Sequence, residues 1–186
     1  SALIEDEKLL GTCLIDIGGF STDISIYYNG NLVLIDSINL GSYHITSDLA
    51  HGLSVSIEDA ERIKSLDGVA VSSLIESGKS IEFVKVGDSK DNVNFVSQSY
   101  VCSIIQPRME EIFELVKNKI SPYQHIFNNR IVLTGGGSNL KGIKELAQVS
   151  LNSNIRTAQI NGLEGTTTIS SNPRFIAVAG GLLYLA

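Results

Sequence analysis

The residues best suited to chemistry are Asp16-Ile17-Gly18-Gly19-Phe20-Ser21-Thr22-Asp23, an octet set between two apolar stretches. Small residues in a tight turn expose consecutive backbone N–H groups, and Ser21 and Thr22 add hydroxyl donors, so the turn suits phosphate oxygens. Asp16, closing its stretch, supplies a carboxylate of the kind that holds Mg2+ through retained water. The same octet also reads as a plain hairpin whose Asp and Ser satisfy the turn. A second group, Leu133-Thr134-Gly135-Gly136-Gly137-Ser138-Asn139, runs from an apolar stretch into a glycine triplet and then a helical pattern. Bare backbone at Gly135, Gly136 and Gly137 lets a flat base or ribose approach closely, and a helix start favours negative charge. Taken alone, the triplet is equally a strand-to-helix connection. Third, Glu61 and Lys64 lie three apart in Ala60-Glu61-Arg62-Ile63-Lys64 and share a helix face. By themselves they make a surface ion pair worth well under about 1 kcal/mol.

Other chemistries lack their residues. No Gly-Lys-Ser/Thr ending makes a P-loop, and the third glycine of a dinucleotide fingerprint is missing after Gly137. His44, His51 and His125 have no metal-like spacing, and no nucleophile stands beside a positioned base, so they are read as structural or surface residues. A net charge of -6 argues against nucleic acid, whose affinity needs clustered Lys and Arg. Cys13 and Cys102 are isolated in apolar or helical patterns, which reads as buried thiols in a reducing cytoplasm rather than a disulfide framework. The acidic start at Glu5, Asp6 and Glu7 lacks the basic region of a secretory signal. The apolar stretch from Phe175 to Ala186 is too short to cross a bilayer and reads as a closely packed helix.

These groups need elements to position them. Residues 11–17 and 22–28 read as strands around the octet, and Asn29-Gly30-Asn31 supplies the positive-φ residues of a second hairpin before a third strand over 32–40. Between Tyr43 and Lys64 the period becomes helical, with Ile45, Leu49 and Ala50 in one stripe and Ser56 able to cap a second helix. Residues 81–86 and 93–96 resemble a hairpin. The longest helix is expected over 103–120, its apolar face running from Ile104 to Ile120. A strand at Arg130 to Leu133, a helix from about Asn139 to Val149, a short strand near Ile155 and a closing helix after Pro173 complete the chain.

The order of these pieces resembles the second half of the superfamily of actin, sugar kinases and heat-shock chaperone ATPases. Within it the wording is similar to the FtsA family of bacterial cell-division proteins. The residues that carry this are Leu14-Ile-Asp-Ile-Gly-Gly, Ser21-Thr-Asp-Ile, Gly41 with His44-Ile-Thr-Ser-Asp-Leu-Ala, Ala60-Glu-Arg-Ile-Lys, Ile105-Gln-Pro-Arg108, Val132-Leu-Thr-Gly-Gly-Gly and Leu140-Lys-Gly-Ile. The resemblance implies an α/β, ribonuclease H-like half: a mixed sheet that opens with the meander, helices around it, and a small inserted α+β subdomain. Residues 1–46 and 130–186 correspond to subdomain 2A, and 47–129 to subdomain 2B.

By the same resemblance, Asp16, Gly18, Gly19, Ser21 and Thr22 match the second phosphate motif of an ATP site. Asp16 would hold Mg through water, Glu61 and Lys64 would flank adenosine, and Gly135, Gly136 and Gly137 would form the adenosine loop. The family's partner, the C-terminal tail of FtsZ, is expected on subdomain 2B, with Arg108, Lys117 and Lys119 on the long helix as its docking face. The intact protein is expected to self-associate into filaments and to sit at the cytoplasmic face of the inner membrane at the division septum, held by a C-terminal segment. The other family motifs, including the first phosphate turn, are expected upstream of Ser1, so a fragment is implied that binds ATP weakly or not at all and does not hydrolyse it. Phe20 replaces the family's usual third glycine, and a side chain there is expected to restrict the turn. A PilM-like or MreB-like scaffold is the alternative among actin-like scaffolds; half of a sugar or acetate kinase is the alternative of a different class, an enzyme, for whose catalytic carboxylate the sequence offers no second clasp.

Overall fold

Alternating apolar and polar side chains make strands with one covered face, and the opening of the chain does this three times. The computed structural model describes residues 2–89, 91–159 and 173–176. In it β1 (Thr12–Ile17), β2 (Thr22–Tyr28) and β3 (Asn31–Ile38) form an antiparallel meander. Asn29 and Gly30 take φ values of 50° and 75°, the left-handed pair that matches the twist of a two-residue hairpin. Ahead of the meander lies a short helix absent from the sequence expectations, α1 (Glu5–Leu10). Its acidic first turn sits at the positive end of the helix dipole, and Glu7 accepts from the Ile4 N–H at 3.0 Å.

The middle of the chain supplies α2 (Ser42–Leu53), α3 (Ile57–Asp67), the antiparallel hairpin β4 (Ser80–Phe83) and β5 (Asn94–Ser97), α4 (Gln98–Ile120) and α5 (Gln124–Phe127). The Ser56 hydroxyl accepts from the Asp59 N–H at 3.1 Å, so the cap of α3 forms as expected. The chain then returns to the sheet as β6 (Arg130–Thr134), passes through α6 (Ile143–Leu151) and adds β7 (Asn154–Thr157). The sheet order is β3-β2-β1-β6-β7, with β6 parallel to β1 and β7 parallel to β6. Asp16 is opposite Thr134. Hence β1 and β6 end side by side, and the two glycine turns leave from the same sheet edge.

One face of the sheet presents Cys13, Ile15, Ile17, Ile24, Ile26, Ile131 and Leu133 to the core. Against it pack Ile105, Met109, Ile112, Phe113 and Val116 of α4 and Ile143, Leu146 and Ala147 of α6. Burying each large apolar side chain contributes roughly 1.5–3 kcal/mol, so this layer holds the sheet edge in place. The opposite face is covered over β1 and β6 by Ala2, Leu3, Ala158 and Ile176.

Several boundaries differ from the sequence reading. Helix α4 begins at Gln98, not 103, because the buried polar Gln98 and the internal Pro107 hide the start of its pattern. Gln98 spends its amide on the Asp67 carbonyl at 2.8 Å and accepts from the Glu76 N–H at 2.7 Å. The glycine triplet does not lead straight into a helix: it passes into one 3-10 turn, Gly136–Asn139, and α6 starts only at Ile143. The triplet therefore does not form the N-terminus of α6. The closing helix after Pro173 and the packed helix to Ala186 lie outside the described residues, beyond a 3-10 turn at Pro173–Phe175.

Candidate functional site

The first phosphate-type turn is built by the β1–β2 hairpin. The Gly18 N–H donates to the Ser21 carbonyl at 2.9 Å. Among the described residues, the Gly19 and Phe20 N–H groups donate to no protein acceptor. The carbonyls of Gly18 and Gly19 accept from the Ser42 and Tyr43 N–H groups, at 2.9 and 2.8 Å. The first turn of α2 is thereby fastened to the hairpin. Gly41 permits this: a Cβ there would lie 2.7 Å from the Gly18 oxygen and 2.6 Å from the Gly19 oxygen. No residue from Gly18 to Ser21 has a positive φ. Phe20 therefore fits without the expected backbone restriction, its exposed ring resting on Tyr43 with centroids 4.7 Å apart.

Thr22 corrects one expectation. It is buried, and its hydroxyl donates to the Leu40 carbonyl at 2.8 Å, so it ties β2 to the end of the meander instead of facing a ligand. Ser21 stays partly exposed, at 3.4 Å from the Asp23 carboxylate. Asp16 is half-buried and accepts no hydrogen bond among the described residues. Burial, followed by the negative charge of Asp23 across the strand pair, pushes its carboxyl above the ordinary value. Such a carboxylate, close to a second one and without a donor, is electrostatically fitted to a divalent cation.

The second turn stands directly against the first. Gly135 has φ 86° and ψ 170°, a region open in practice only to glycine. A Cβ on it would fall 2.2 Å from an Asp16 carboxylate oxygen, and one on Gly137 would fall 2.3 Å from Ile17 Cγ2. Both triplet glycines are thus pressed onto the end of β1. Beside them opens a cleft of about 740 Å3, lined by Gly19, Gly136 and Gly137 together with Glu61, Lys64 and Leu66.

Glu61 and Lys64 line that cleft, but Lys64 is turned inward. Its ammonium donates to Glu61 Oε2 at 2.7 Å, to Thr46 Oγ1 at 2.7 Å and to the Ser42 carbonyl at 3.1 Å. Glu61 keeps an exposed carboxylate; burial raises its pKa, yet hydrogen bonds from Lys64 and Thr46 outweigh that and hold it below the usual value. Further charged groups that the sequence reading did not single out also line the cleft. Lys79 pairs with Asp67 at 3.1 Å, and Lys141 pairs with Glu76 at 3.0 Å. They come from segments with no periodic pattern; the only sequence signal was Lys141 within the Leu140-Lys-Gly-Ile block.

The three cations expected to form one docking face do not do so. Arg108 is half-buried and bonded to Asp48 at 2.7 Å and to Glu111, and Lys119 reaches Asp36 on β3 at 2.7 Å. Lys117 is exposed. At about 100° per residue it points away from the side that carries Arg108 and Lys119. Helical spacing and internal carboxylates together divide the group.

A family model described as "Cell division protein FtsA" matches residues 13–180. The chain is 38% identical over 187 residues to a cell division protein FtsA of Agrobacterium fabrum, covering 99% of this chain and 42% of the relative. It is 31% identical over 193 residues to that of Escherichia coli, covering 99% of this chain and 46% of the relative. The chain thus spans less than half the length of these curated relatives. Among solved structures, MreB5 of Spiroplasma citri bound to ADP aligns with a TM-score of 0.77 at 19% identity, over 96% of this chain and 54% of that one. A PilM-PilN type IV pilus biogenesis complex aligns with a TM-score of 0.70 at 15% identity, over 98% and 48%. Those likenesses show the actin-like fold alone, which both FtsA and its alternatives share. The sequence matches separate them, and the chain belongs to the FtsA family of cell-division proteins.

Proposed function

We propose that this chain supplies one flank of an ATP–Mg2+ cleft in an actin-like scaffold that joins FtsZ filaments to the membrane during division. The observation that supports this most is the contact of the two glycine turns at the carboxyl ends of β1 and β6, with the unpartnered Asp16 between them. Open α/β sheets bind ligands at such strand ends. In this reading the Gly18–Ser21 turn receives phosphate oxygens through free amides and the Ser21 hydroxyl, while Gly135 to Gly137 lie under adenosine and Glu61 accepts from the ribose. Asp16 orients the water shell of Mg2+, whose charge offsets that of the phosphates. Residues 1–46 with 130–186 act as subdomain 2A and 47–129 as subdomain 2B. The contacts named here are those of one flank, and by themselves they bind ATP weakly or not at all and do not turn it over.

The test is calorimetry with Mg-ATP on the full-length protein and its Asp16→Asn variant. The substitution lowers affinity at least tenfold while raising the melting temperature, since it removes a disfavoured charge. Unchanged affinity defeats the assignment of the site. Self-association into filaments, the septal inner-membrane location and the FtsZ contact follow from family membership as part of the proposal. For that contact, the FtsZ tail docks on subdomain 2B at α4, with Lys117 as its exposed cation. Titration of the tail peptide tests this: no binding to the folded chain, or binding unaffected by Lys117→Glu, removes the docking face.

A further inference from the structure

We infer that Lys64 is a positioning residue for the phosphate turn and not a ligand of the nucleotide, an inference that rests on the nucleotide reading above. An ammonium has three N–H donors, and all three of Lys64 are used inside the chain, on Ser42 O, Thr46 Oγ1 and Glu61 Oε2. The side chain is buried, so little of it reaches the cleft. Ser42 is the link. Its carbonyl accepts from Lys64, and its own N–H donates to the Gly18 carbonyl at 2.9 Å. Lys64 on α3 thereby fixes the first turn of α2, and that turn fixes the hairpin whose free Gly19 and Phe20 amides face the phosphate position.

Thr46 is part of the same tie. It accepts from Lys64 and donates to Glu61 Oε2 at 2.6 Å, which orients the one member of the pair whose carboxylate remains exposed. The two residues three apart on α3 therefore divide the work: Glu61 meets the sugar, and Lys64 holds the distant turn. A ligand role for Lys64 would weaken adenosine and ATP alike; a positioning role weakens chiefly ligands that carry phosphates, because Glu61 keeps its Thr46 donor when Lys64 is lost.

Dissociation constants for Mg-ATP and for adenosine, measured by calorimetry on the full-length protein, separate the two. In Lys64→Met, affinity for ATP falls about tenfold and affinity for adenosine changes by less than about twofold, in line with the loss of charge-assisted hydrogen bonds at the turn alone. Thr46→Val removes one acceptor of Lys64 and one donor to Glu61 Oε2 but keeps the ammonium, which still holds Glu61; ATP affinity falls by less than in Lys64→Met, and adenosine affinity again changes by less than about twofold. Equal losses for both ligands overturn the inference. Amide exchange by NMR in the unliganded protein is the second readout: the Ser42 N–H exchanges about tenfold faster in either variant, and an unchanged rate overturns the inference. Should the wild-type protein bind no ATP, the nucleotide reading fails, and Ser42 exchange still decides whether Lys64 anchors the turn.

Discussion

From Gly18 to Gly19, at Gly41 and from Gly135 to Gly137, the site is made of main chain. Elsewhere around the same cleft it is made of the charged ends of Glu61, Asp67, Glu76, Lys79 and Lys141. The main-chain part is fixed by close approach at Gly41, Gly135 and Gly137, where an added methyl group has no room, while Gly19 and Gly136 leave space beside the cleft. The charged part is fixed by ion pairs that are partly exposed to water, and such pairs contribute little to stability. One region therefore sets the shape of the cleft, and the other sets its field. Damage to the first should appear in folding, and damage to the second mainly in ligand binding.

That contrast can be broken most severely at Gly135. Gly135→Ala meets both a glycine-only backbone conformation and the Asp16 carboxylate at 2.2 Å, and should cost about 2–4 kcal/mol in urea unfolding. Gly41→Ala, with an allowed φ but two carbonyls under 3 Å away, should cost about 1–3 kcal/mol and loosen the Ser42 and Tyr43 amides in exchange. Glu61→Gln sharpens the comparison through pH. The folded Glu61 carboxyl lies below its ordinary 4.5, so its stabilisation is present above pH 4.5 and is lost as pH falls through the lowered value. Wild type and variant should differ in melting temperature at pH 7 and converge in acid. Glu76→Gln should leave the melting temperature within experimental scatter, because its pairs are exposed; a large drop would show that the charged lining also shapes the fold.

How much of this was legible follows the same division. The meander was readable because Ile24 and Ile26 alternate with polar neighbours and Asn29-Gly30 marks a hairpin, all within a short stretch. The octet and the triplet were readable as turns for the same local reason. Their contact depends on β1 pairing with β6, across more than half the chain, and no local pattern encodes that pairing. The inward turn of Lys64 was hidden because its acceptor Ser42 O belongs to another helix. Thr22 looked like a ligand donor until its hydroxyl was found on Leu40. The start of α4 was obscured by Gln98, a polar side chain that serves as a buried tie between the end of α3 and the segment at Glu76. Short helix α1 was missed because six residues give too little periodicity; its hold on β7 comes from Glu7 and Arg156, residues far apart in sequence.

Val69 and Lys141 form an isolated parallel bridge, and the Ala70 N–H donates to the Lys141 carbonyl at 2.8 Å. This stitch fastens the segment leaving α3 to the loop ahead of α6, immediately beside the cleft. With α2 also clipped to the β1–β2 hairpin, the described part of this flank is braced by main-chain bonds from the sheet edge through α2 to the segment after α3. Under the nucleotide reading proposed above, an anvil of this kind leaves the work of clamping on a guest molecule to a part of the protein outside these braced segments.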